Sequence, residues 1–209
     1  MKTAARALVE TAYRFHVSAK SAVQLRNRER AAQLLKGDAF VYRKRGKSED
    51  EHEDLYQAEI IQQMVNRVYF KNKNDDGIAL KDRYSPFPFV SLALILAAIE
   101  CAITEWNDGT FTKIPFTEDA YKPVYKHHLQ ELHQYEAATE LEGLKIVTEI
   151  CEYLYSDGRM YAKASPDESL ITRSLSMKAY AKGIADFKRR GGRLAAATSD
   201  IESTDEDDA

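Results

Sequence analysis

Phe89-Val90-Ser91-Leu92-Ala93-Leu94-Ile95-Leu96-Ala97-Ala98-Ile99-Glu100-Cys101-Ala102-Ile103-Thr104-Glu105-Trp106 lies in the longest apolar stretch of the chain and decides the fold class. Leu92, Leu94, Ile95, Leu96, Ile99 and Ile103 cover most of a helical circumference, which predicts a helix buried on nearly every side. Ala93, Ala97, Ala98 and Ala102 are small enough for neighbouring helices to approach closely. Ser91, Glu100, Thr104 and Glu105 make the same stretch a poor membrane span. Pro86 and Pro88 bracket Phe87 and require an extended entry. Asn107-Asp108-Gly109-Thr110 spells a turn at the exit, with Gly109 suited to positive φ.

Helical spacing continues on both sides of this centre. Residues 3–36 contain neither Gly nor Pro, and Leu8, Ala12, Phe15, Ala19, Ala22 and Val23 recur at steps of three and four. This predicts one long helix or two with a bend near Val17 or Ser18, stopped by Gly37. Residues 38–54 read as a mobile charged connector, with basic Arg43-Lys44-Arg45-Gly46-Lys47 followed by acidic Glu49 to Asp54. Residues 55–73 resume helical phase through Ile60, Ile61, Met64, Val65 and Val68, and Asn74-Asp75-Asp76-Gly77 breaks it.

Beyond the central helix, residues 111–116 are predicted to be extended, with room for one short β-hairpin. Thr117 followed by Glu118 and Asp119 is a helix start, and that helix runs to about Ala138. Residues 141–155 form another, ended by Asp157-Gly158. Ser165-Pro166 opens a last helix, which Gly191-Gly192 ends. The expected fold is all-α: an irregular or orthogonal bundle of about six or seven helices around residues 89–106. Residues 1–193 form one domain and 194–209 a disordered acidic tail, because Asp200, Glu202, Asp205, Glu206, Asp207 and Asp208 stand there without a basic or aromatic neighbour.

A chain of 209 residues with 44% hydrophobic side chains can bury a single core, which excludes disorder of the whole. Its two cysteines, Cys101 and Cys151, are too few for a disulfide framework and read as buried thiols in a reducing compartment. The opening residues lack the continuous apolar run of a signal peptide. The expected location is therefore nuclear or cytoplasmic, not secreted. A mitochondrial leader, suggested by Lys2, Arg6, Arg14 and Lys20, carries less weight.

Tyr125-Lys126-His127-His128-Leu129-Gln130-Glu131-Leu132-His133 concentrates imidazoles and a carboxylate, the usual ligands of zinc. The HExxH order is absent, and His133 turns away from His128, so the spacing reads as surface histidines beside an ion-pairing glutamate. No metal or cofactor is expected. Glu100, Glu105 and His128 could border a pocket in which a buried carboxylate serves as acid or base. Pairing of these carboxylates with nearby cations is the favoured reading. Phosphate loops, activated nucleophiles and Cys/Cys pairs are missing, so no catalytic residue is assigned.

Charge is the stronger signal. Arg26, Arg28, Arg30, Lys36, Arg43, Lys44, Arg45 and Lys47 face only Glu29 and Asp38 within 26–47, and Lys188, Arg189 and Arg190 lie near the end. Such clusters suit phosphate contacts, although solvated helix ends would look the same. With no base-reading motif, any nucleic-acid binding is expected to be unspecific.

Tyr69-Phe70-Lys71-Asn72-Lys73, Asp76-Gly77-Ile78, the 91–106 helix with its terminal Glu105-Trp106, Asn107-Asp108-Gly109, Phe116 and Tyr121-Lys122-Pro123-Val124-Tyr125-Lys126-His127-His128-Leu129 fall in an order that resembles an uncharacterised domain family of mushroom-forming fungi. The likeness covers roughly residues 8–136. It implies a eukaryotic, non-secreted protein and assigns no activity. The expectation is a non-enzymatic interaction or scaffold domain with protein partners, contacting nucleic acid or chromatin proteins through its basic clusters. An enzyme with a pocket near Glu100, Glu105 and His128 is the alternative.

Overall fold

The computed structural model describes residues 1–164 together with 181, 182 and 185. Apart from 181, 182 and 185, the last predicted helix lies outside the described residues, as do the acidic tail and Lys188, Arg189 and Arg190. Eight α-helices occupy residues 1–164: α1 (Lys2–Ala12), α2 (Ser21–Leu35), α3 (Glu59–Tyr69), α4 (Asp76–Ala79), α5 (Lys81–Tyr84), α6 (Phe89–Thr104), α7 (Glu118–Glu140) and α8 (Ile146–Tyr161). All eight fall within one compact unit. Among the described residues there is no strand, only an isolated antiparallel bridge between Lys44 and Glu53. No helix among them is long and apolar enough to cross a membrane.

The predicted central helix is α6. Leu92, Ile95, Leu96, Ile99 and Ile103 are fully buried there, and α1, α2, α3 and α7 pack around it. Each such side chain contributes about 1.5–3 kcal/mol on burial, well above the 0–1 kcal/mol typical of a surface ion pair. The apolar sequence of α6 therefore organises the bundle. At its exit Trp106 is fully buried and stacks on Phe15 with ring centroids 5.0 Å apart. Gly109 takes φ +83°, and a Cβ placed there would lie 2.1 Å from the carbonyl oxygen of Gln24. Asn27 of α2 secures the turn by donating to the Gly109 carbonyl at 2.9 Å and to that of His16 at 2.8 Å.

Several predicted boundaries move, each for a visible reason. The first apolar tract keeps to one of its two expected forms, a pair of helices, here separated by residues 13–20 around Val17 and Ser18. α3 begins at Glu59 rather than near Leu55 because Asp54 and Tyr56 hold positive φ, 60° and 58°, which a continuing helix forbids. α8 starts at Ile146, where Glu136 of α7 accepts from the Val147 N–H at 2.8 Å and from the Thr148 hydroxyl. Gly158 does not stop α8: the helix continues to Tyr161. Its missing side chain admits the ring of Phe70, which would lie 2.5 Å from an added Cβ. That packing outweighs the cost of about 1 kcal/mol for a helical glycine.

Residues 111–116 have no regular secondary structure and make no strand pairing, so the hairpin does not form. Glu105 fixes them instead: its carbonyl accepts from Thr112 N–H at 2.8 Å and its carboxylate from Ile114 N–H at 3.0 Å. Thr117 caps α7 as its sequence predicts, accepting from Ala120 N–H. The charged connector is anchored at its start, where the turn Lys36–Val41 buries Ala39, Phe40 and Val41. Paired backbone hydrogen bonds between Lys44 and Glu53 close the loop beyond.

Candidate functional site

A cavity of about 970 Å³ opens between the end of α1, the last turns of α2 and the closed charged loop. Arg14, Arg30, Lys36, Arg45 and Lys47 line it, with Glu49 as the one carboxylate among its lining residues. Folding thus gathers cations that stand up to 33 positions apart in the chain, and the local structure braces several of them. Arg30 donates to the Arg14 carbonyl at 2.6 Å. The Arg45 guanidinium sits 5.2 Å from the centre of the Tyr13 ring, a cation–π arrangement. Tyr13 is itself buried and donates to the Phe40 carbonyl at 3.2 Å. Burial pushes its hydroxyl up to about 12, so it stays protonated. At the loop tip Lys47 N–H donates to Glu51 at 2.7 Å, and Gly46 N–H to the Nδ1 of His52 at 3.1 Å.

A histidine cluster lies where the Lys36–Val41 turn meets α7. His128 is buried, with Nε2 2.8 Å from the Glu100 carboxylate of α6. The ring of Phe40 meets His128 edge-on, centroids 5.8 Å apart. His127 is exposed on the adjacent helical position, and its Nε2 lies 2.8 Å from Asp38. The hydrogen bond to Asp38 raises the His127 pKa, helped by the charges of Asp38, Glu131 and Glu100 and opposed by burial.

Glu105 occupies a different environment. Its side chain is fully buried and accepts two hydrogen bonds from Arg6, at 2.8 and 3.0 Å, beside Lys2 Nζ at 3.3 Å. Burial alone would push this carboxyl up. The Arg6 hydrogen bonds, the Ile114 N–H and the charges of Lys2 and Arg6 outweigh it and hold the carboxyl below its ordinary range. A group held ionised in this way is a poor proton donor at neutral pH.

A second cavity, about 620 Å³, runs between α5, α6 and α7. Tyr69, Tyr84, Tyr121 and Tyr125 line it, with Arg83, Lys122 and Lys126. Burial raises the hydroxyls of Tyr69, Tyr84 and Tyr121.

The predicted site residues divide accordingly. Arg30, Arg45 and Lys47 converge on the large groove. Arg26 and Arg28 are exposed elsewhere on α2, Arg28 beside Asp108 in a shallow depression. Lys44 is paired with Glu53 at 2.6 Å, and the Arg43 N–H is bonded to the Asp54 carbonyl. Glu100 meets His128, but Glu105 faces Arg6 and Lys2, and none of the three lines either large cavity. Arg14 and Asp38 are the residues that sequence reasoning misses. Arg14 sits alone in the turn after α1, and Asp38 lies 89 positions from its histidine partner.

The profile of a domain of unknown function, DUF6532, matches residues 1–135. The chain belongs to this family. The match contains the groove, the histidine cluster and the Glu105 centre, while α8 lies beyond it. No curated protein and no solved structure matches the chain.

Proposed function

We propose that this DUF6532 protein is a non-enzymatic interaction domain that binds the phosphate backbone of nucleic acid through the groove lined by Arg14, Arg30, Lys36, Arg45 and Lys47. One observation carries the reading: among the described residues, five cations from three separate segments line one open cavity with a single carboxylate. Phosphate contacts of this type position a nucleic acid without reading its sequence, so protein partners acting on the same nucleic acid would supply any specificity. A nuclear or cytoplasmic location follows from this reading. The alternative, catalysis at Glu100, Glu105 and His128, has less support because Glu105 is committed to Arg6 and Lys2.

Fluorescence anisotropy with labelled duplex and single-stranded oligonucleotides tests the proposal. Binding is expected at low salt, with log K falling against log salt by about 0.9 for each duplex phosphate neutralised. The combined variant Arg30→Ala, Arg45→Ala and Lys47→Ala should weaken binding about tenfold or more, equally for unrelated sequences. No binding at low salt, or binding indifferent to the triple variant, would overturn it.

A further inference from the structure

Consecutive helical positions point about 100° apart, which lets the pair His127-His128 present one imidazole inward and one outward. His128 is buried and His127 is half exposed. Asp38 comes to this pair from the Lys36–Val41 turn, where Gly37 and Asp38 both adopt left-handed backbone, φ 56° and 53°. A non-glycine residue in that conformation carries a local cost, and aspartate is among the side chains that tolerate it best. One ligand atom from each of Asp38, His127 and His128 lies within 4.8 Å of the other two.

The surroundings of His128 match what a metal-ligating imidazole needs. Glu100 holds its Nε2 at 2.8 Å. A carboxylate in that place accepts a hydrogen bond from Nε2–H and leaves the lone pair on Nδ1, fixing tautomer and orientation together. The edge of Phe40 restricts the plane of the ring. His127 is half exposed and able to rotate. In tetrahedral zinc coordination, with bonds of about 2.0–2.1 Å, ligand atoms stand about 3.3 Å apart, so closing the cluster requires movement of up to about 1.5 Å, within reach of an exposed imidazole.

We propose that Asp38, His127 and His128 bind a divalent transition-metal ion of the zinc class, with Glu100 as the residue that positions His128. Two imidazole nitrogens and one carboxylate oxygen favour zinc over calcium and magnesium, which take oxygen ligands. Three protein ligands leave a fourth position for water or for a ligand group on the exposed side of α7. The ion would join the Lys36–Val41 turn to α7, and the same turn contributes Lys36, Gly37 and Ala39 to the cationic groove. The inference is independent of the nucleic-acid reading, since a metal site stands or falls on its own titration.

Calorimetric titration of the untagged, chelator-treated full chain with zinc chloride is the test. One zinc per chain is expected, accompanied by a rise in the thermal midpoint, because an ion that binds only the folded state stabilises it by mass action. Asp38→Asn and His127→Ala alter partly or well exposed side chains, so both should fold; a thermal melt before titration verifies this. Each should weaken zinc binding about tenfold or more, and Glu100→Gln by about 10–100-fold. Cobalt in place of zinc should develop visible d–d absorption that the first two variants lose. Absence of zinc binding to the wild-type chain overturns the site, as does binding of equal strength in Asp38→Asn and His127→Ala. Unchanged affinity in Glu100→Gln overturns the positioning role assigned to Glu100.

Discussion

Two carboxylates five positions apart on one helical segment meet nitrogen donors in opposite ways. Glu105 is wholly buried, and its oxygens are occupied by Arg6, Lys2 and a backbone N–H. Glu100 is partly exposed and, among the described residues, its carboxylate is hydrogen-bonded to one side chain, a histidine whose neighbour opens to solvent. The first arrangement leaves no lone pair easily available for chemistry and ties α1, the exit of α6 and residues 111–116 together. The second leaves donor atoms uncommitted beside a water-accessible surface. Completeness of hydrogen bonding, rather than the presence of charge, separates a carboxylate that holds a fold from one that can serve a ligand.

Removing Arg6 should produce the largest effect. Arg6→Ala leaves the Glu105 carboxylate buried with Lys2 as its remaining cationic partner and abolishes the guanidinium contact over Phe111, at 5.1 Å. Breaking one partner of a buried pair costs about 3 kcal/mol or more. Urea unfolding should register that loss. A loss below about 1 kcal/mol would place Glu105 with surface ion pairs and erase the contrast.

Acid should act on the same centre. Because the folded Glu105 carboxyl is held below its unfolded value of 4.5, its stabilising contribution is complete above that value and is lost as pH falls through the lower folded value. Glu105→Gln cannot titrate. Between pH 5 and pH 3 the wild-type chain should therefore lose stability more steeply than the variant. Parallel decline of the two proteins would show that other carboxylates govern acid unfolding.

The central helix and its exit turn were legible in the sequence because burial on all sides leaves a direct mark: continuous Leu, Ile and Ala, then Asn-Asp-Gly. Gly109 was readable for the same reason, since a turn there needs positive φ. Gly158 was misread as a helix end, because a glycine that stops a helix and one that admits a neighbouring ring look alike until Phe70 is placed. The boundary of α3 was hidden in the backbone of Asp54 and Tyr56, non-glycine residues that spacing assigns to no left-handed position. The candidate sites were only half visible. Arg30, Arg45 and Lys47 could be named from charge density, whereas Arg14 is recruited by the turn after α1. The spacing of His127, His128 and His133 argues against a metal within the helix alone, and Asp38, whose ligand atom comes within 4.8 Å of those of His127 and His128, reaches them only through the fold.

The smallest expected effect lies at the open end of the comparison. In metal-free buffer His127→Ala removes an ion pair whose histidine side chain is 50% exposed and whose aspartate is 30% exposed. Solvent screening limits such a pair to about 0–1 kcal/mol. The hydrogen bond to Asp38 raises the folded pKa of His127 above 6.5, so the stabilisation is full below that value and is lost as pH rises through the folded one. Wild type should thus exceed His127→Ala slightly in stability at pH 5.5, and the two should converge at high pH. A loss as large as that of Arg6→Ala would mean that the histidine cluster is itself a structural centre, closed like that of Glu105. A small loss keeps it distinct, as a site whose donor groups contribute little to folding and remain available for a cation.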